Sequence, residues 1–151
     1  MAGHFRQKMQ DTLADGHPIS PQDRTHAAAA HLLGAVVGIF TGGLLLPVLA
    51  TTLVLVVNKS RHPFVLFHVN QAAWFQVVAS LAIATSGLLF LAIYFVTCGA
   101  GLLLLPLLFV PWLLSVLLPF WVAFGAQRGD WTGYPWLGDW VLDQEVPFVD
   151  D

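Results

Sequence analysis

The residues best suited to chemistry cluster in one stretch, 59–76, where His62, His68, Asn70, Gln71 and Gln76 interrupt an otherwise apolar run. At helical spacing His68 and Gln71 share a face, while Asn70 points nearly opposite. Side chains of this kind are costly inside a membrane, so they either bond to neighbouring helices and headgroups or form a polar site within a bundle. Histidines could also hold a metal or haem. His26 and His31 stand five apart and His62 and His68 six apart, and neither spacing is that of a strong ligand pair. No metal site and no cofactor is expected. A glycine-rich phosphate loop and a nucleophile elbow are both missing, and the reading is non-enzymatic.

A second pattern concerns packing. Ala30, Gly34, Gly38 and Gly42 recur every four residues and form one small-residue ridge on a helix. Such a ridge lets helix backbones approach closely in lipid, within the chain or across a homodimer seam. A third pattern is aromatic. Trp131, Tyr134, Trp136 and Trp140 follow the last basic residue, Arg128, and with Trp74 they read as anchors at the bilayer surface.

The elements that must position these residues follow from charge and hydropathy. Of 151 residues, 57% are hydrophobic and 10% charged, against roughly 25% charged in a soluble domain. No Asp, Glu, Lys or Arg occurs between Thr25 and Asn58, or between His62 and Gln127. Runs of this length read as membrane spans, and their lack of alternation selects helices over barrel strands. The fold class is therefore all-α: a polytopic membrane protein of four transmembrane helices in two hairpins, with interfacial segments. The helices are expected near 26–41, 44–58, 63–96 and 102–124. Turns fall at Gly42-Gly43 and at Thr97-Cys98-Gly99-Ala100-Gly101, and Pro106, Pro111 and Pro119 should kink the last helix. Residues 1–24 read as a polar tail with no cleavable signal, 25–128 as the transmembrane domain, and 129–151 as an aromatic interfacial segment with an acidic end.

Charge placement orients the helices. Arg24, Lys59, Arg61 and Arg128 all fall on one side of a four-span arrangement, and the two uncharged turns fall on the other. Basic residues favour the cytoplasmic flank, so both termini are expected there, in a prokaryotic inner membrane. The net charge of −3 argues against a nucleic-acid partner. The expected partners are the lipid bilayer, other membrane proteins or a second copy. A small transport or channel subunit is the alternative, and a histidine-ligated haem or metal protein the lesser one.

Three pieces carry a resemblance. They are Ala29-Ala30-His31-Leu32-Leu33-Gly34, then His62-Pro63-Phe64-Val65 continuing through Phe67-His68 to Gln71-Ala72 and Phe75-Gln76, then Gly129 with Tyr134-Pro135. This pattern resembles a family of small prokaryotic four-helix membrane proteins of unknown function. That family is distantly related to the twenty-kilodalton subunit of the import translocon of the chloroplast inner envelope. The resemblance implies a four-helix fold and supplies no activity.

Overall fold

Ser20 caps the first described helix. In the computed structural model, which describes residues 18–44, 46–57, 62–135, 137–138 and 140–141, its hydroxyl accepts from the Asp23 N–H at 3.1 Å. The Asp23 carboxylate in turn accepts from the Ser20 N–H at 3.1 Å. This reciprocal capping box, with Pro21 at the first helical position, starts α1 (Pro21–Thr41) five residues before the expected boundary. Gly42, in the left-handed region at φ 71°, ends it.

The chain then forms α2 (Leu46–Val57), α3 (Pro63–Val96), a 3-10 turn (Ala100–Leu104) and α4 (Leu105–Arg128). All regular structure among the described residues is helical, in four α-helices as expected. The bounds of α3 coincide with the expected ones. The turn after it needs φ 49° at Cys98 and φ 96° at Gly99, and the Thr97 hydroxyl accepts from the Gly101 N–H at 2.8 Å. α4 continues unbroken through Pro111 and Pro119. It runs four residues past the expected end because left-handed Gly129 lets the Asp130 N–H reach the Gly125 carbonyl at 3.0 Å. Arg24 of α1 packs against Gly129, where the helix dipole of α4 favours a cation.

Two of these helices, Pro63–Val96 and Ala100–Arg128, are long and apolar enough to cross a membrane. α2 has 12 residues, about 18 Å of helix, which is shorter than a hydrocarbon core of about 30 Å.

Burial divides the molecule into two halves. Every buried residue of α3 lies between Phe64 and Ser80, and every buried residue of α4 lies between Ser115 and Ala126. In this base, α1 packs against both long helices and α2 packs against α1 and α3. Phe64, Phe67, Ala123, Ala126, Trp131 and Val141 form the largest apolar cluster there. Beyond Ser80 and before Ser115, α3 and α4 continue as a bare hairpin whose Leu88, Phe95, Leu103 and Leu107 side chains face outward.

Candidate functional site

The small-residue ridge of α1 determines how closely the base packs. A methyl group added at Gly34 would lie 2.6 Å from the Gln76 amide nitrogen and 2.7 Å from the Thr51 hydroxyl. At Gly38 it would lie 3.7 Å from Pro47. Ala30, Gly34 and Gly38 are thus buried within the chain, against α2 and α3. Gly42 has nothing within 4 Å and serves as the helix cap.

This close approach brings His31 of α1 onto His68 of α3. The His31 Nε2 and His68 Nδ1 atoms are 3.0 Å apart. His31 Nδ1 lies 2.8 Å from the Tyr134 hydroxyl, and His68 Nε2 lies 3.2 Å from the Asp130 backbone carbonyl. Both imidazoles are fully buried. The end of the chain fixes every proton in it. A carbonyl can only accept, so His68 Nε2 carries the proton and its Nδ1 accepts. His31 must then donate from Nε2, which leaves its Nδ1 to accept from the Tyr134 O–H. Burial pushes the Tyr134 phenol well above its ordinary value of 10.0, so it stays protonated and able to donate.

One added proton has no satisfied place in this chain. Wherever it resides, a donor must turn away, and the Tyr134 O–H loses its acceptor. A proton moving along the chain would also stop at the Asp130 carbonyl. All four imidazole nitrogens are engaged in hydrogen bonds, so neither ring offers a free lone pair to a metal. Among the described residues there is no group of three His, Cys, Asp or Glu side chains that could hold a metal ion.

The segment after α4 closes the site like a strap. Tyr134 stacks on Phe75 with centroids 3.9 Å apart and planes 8° apart. Trp131 meets Phe64 edge-on at 5.1 Å. Gly133 and Gly138 sit so close to Gln71 that a methyl on Gly133 would be 2.5 Å from its amide nitrogen. The Gln71 amide is buried with neither its nitrogen nor its oxygen hydrogen-bonded, and the Gln76 amide nitrogen is likewise unpartnered.

Of the polar residues singled out from sequence, the structure brings His68, Gln71 and Gln76 into the core. Asn70 is half-buried on another side. His62 is the N-cap of α3, its Nδ1 accepting from the Phe64 N–H at 3.2 Å. The aromatic anchors separate into two groups. Trp74 and Trp140 are 46% and 40% exposed and meet edge-on at 5.2 Å. Trp131 and Tyr134 correct the surface-anchor expectation: at 8% and 3% exposure they lie inside the base, because the His31–His68 pair and Phe64 give them partners there. Trp136 lies outside the described residues. Sequence reasoning missed the pairing of His31 with His68 and Tyr134. One signal was present, since His31 shares a helical face with Gly34 and Gly38 and so points where α1 packs most tightly.

Two apolar helices long enough to cross a bilayer, and a buried polar chain held between α1, α3 and the strap, define an all-helical membrane protein. The chain belongs to the magnetosome magnetite crystal formation protein family, whose model matches residues 22–141. No curated protein and no solved structure shows a match. The comparisons give no support to the distant relationship with the chloroplast translocon that the resemblance implied.

Proposed function

We propose that this protein is a multi-pass, non-enzymatic component of a magnetosome-type membrane that takes part in magnetite crystal formation through contacts with lipid and with other membrane proteins or further copies of itself. The observation that carries this reading is the extent of the family match. Residues 22–141 take in all four helices and the strap, including both histidines and Tyr134. The match thus spans nearly the whole described folded unit. A role built on shape and contact suits a site whose donors and acceptors are already matched to one another.

The charge placement supports a location derived from a prokaryotic inner membrane with both termini cytoplasmic. It holds for any even number of crossings, four included. Removal of the gene from a magnetite-forming host tests the reading. Crystals seen by electron microscopy should be altered in size or number and restored by the intact chain, which should resist alkaline extraction from the magnetosome membrane. Unaltered crystals would contradict it.

A small transport or channel subunit is the second reading, favoured by the unpartnered Gln71 amide and Gln76 amide nitrogen in the base. Liposomes containing the purified protein should then pass an ion or solute that empty liposomes retain. Equal flux removes this reading.

A further inference from the structure

The depth at which the α1–α2 turn meets the long helices sets how far that hairpin can reach into a membrane. The Ser80 hydroxyl donates to the Gly43 carbonyl at 3.1 Å, and a methyl group on Gly43 would contact Ile83 and lie 3.6 Å from the Ser115 hydroxyl. The turn therefore stands level with Ser80 and Ser115, midway along α3. Exposed tryptophans ring the base six residues below that level. Trp74 and Trp121 each stand six residues from these serines, and Trp140 packs on Trp74. They are 46%, 55% and 40% exposed. Tyr94, at the far end of α3, lies beside the turn at Gly101. Trp74 and Tyr94 are twenty residues apart, about 30 Å along a helix, which matches the hydrocarbon thickness between two aromatic belts.

The geometry points to a re-entrant α1–α2 hairpin that enters only the leaflet on the side of the termini, with α3 and α4 alone crossing to the other face. This inference rests on the membrane reading above and not on the role in crystal formation. With the near face of the bilayer at the tryptophan ring, the turn lies about 9 Å inside, short of the midplane. Phe40 and Leu44 at its tip are open to the surroundings, Phe40 at 84% exposure, as lipid-facing side chains would be. The exposed face of α1 stays apolar through Leu33 and Ala29 and turns polar at Thr25 and Gln22, toward the side of the termini. Backbone outside a helix is tolerated at membrane depth only where the protein satisfies it, and the Ser80–Gly43 bond satisfies one carbonyl of the turn. A full crossing of α1 and α2 would instead put the turn in water and leave the bare apolar hairpin beyond Ser80 projecting out of the bilayer.

The consequence is a wedge. Four helices displace lipid in one leaflet and two in the other, a shape that suits the convex leaflet of a strongly curved membrane. A vesicle enclosed in a cell presents its convex leaflet to the cytoplasm, the side on which the charge rule puts the termini.

Single-cysteine variants of the full chain test the depth. The native Cys98, and Phe40→Cys and Leu44→Cys in a Cys98→Ser background, are exposed to a membrane-impermeant maleimide from each face in turn. Total thiol is measured after denaturation. Cys98 should label from the face opposite the termini. Phe40→Cys and Leu44→Cys should label from neither face, and a spin label at either should be accessible to oxygen and shielded from a nickel chelate. Labelling of either variant from the same face as Cys98 would overturn the re-entrant hairpin and leave the membrane reading intact. Labelling of Cys98 and of both variants from the face of the termini would overturn the membrane reading as well.

Discussion

The Tyr134–His31–His68 chain is where a single atom has the most effect. Tyr134→Phe removes the only donor to His31 Nδ1 among the described residues and leaves a fully buried acceptor unmatched. A lost partner of this kind costs about 1–3 kcal/mol, so the variant in detergent should melt several degrees lower than the parent. Nitrogen NMR should still find the His68 proton on Nε2, held there by the Asp130 carbonyl; an unchanged melting point would show that the phenol contributes nothing. The glycines offer a complementary comparison. Gly34→Ala and Gly133→Ala each introduce a methyl group into contact with a glutamine amide, with a cost of about 1–3 kcal/mol from overpacking. Trimming Gln76 and Thr51 to alanine should recover part of the Gly34→Ala loss, because only side chains obstruct it. Gln71→Ala should not recover Gly133→Ala, because the Gly138 backbone would remain 2.7 Å away. Equal rescue at the two sites, read from thermal melts, would contradict this packing.

At the scale of elements, the Ser80–Gly43 bond joins the short hairpin to the long one. Ser80→Ala leaves the Gly43 carbonyl without its donor inside the bundle and should lower stability by about 1–3 kcal/mol, measured by unfolding in mixed detergent. The same substitution at Ser115, whose hydroxyl bonds to its own helix at the Trp112 carbonyl, should matter less. The sequence shows α3 plainly because Pro63 opens it, glycines follow Val96, and no charge interrupts it. It shows the hairpin break at Gly42-Gly43 for the same kind of reason. The early start of α1 is subtler, since the Ser20–Asp23 box lies in a segment whose polarity suggests a tail. The site is only half legible. His68, Gln71 and Gln76 stand out as polar residues in an apolar run, whereas Tyr134 lies 103 residues from His31 and resembles every other aromatic near a membrane surface. Composition identifies such a residue as amphipathic and does not say whether protein or headgroups surround it.

On the scale of the whole molecule, the separation of a packed base from a bare two-helix projection organises everything else. No local pattern reveals it, because Leu81 and Leu88 of the projection and Phe64 and Phe67 of the base are equally apolar in sequence. The asymmetry has a consequence for orientation. In small, strongly curved vesicles more copies should insert with their termini outward than in large vesicles of the same lipid, which hides Cys98 in the lumen. The fraction of Cys98 reached by an external impermeant maleimide should therefore be lower in small vesicles than in large ones, and a fraction independent of size would contradict the wedge. The most direct measurement is a depth profile along α3, with spin labels at exposed positions from Trp74 to Val96 and the ratio of oxygen to nickel-chelate accessibility read at each. Two aromatic belts at Trp74 and Tyr94 predict the maximum at Ala84, halfway between them. A ratio that falls steadily from Trp74 toward Val96, as four full crossings with the Gly42-Gly43 turn in water require, would contradict the account.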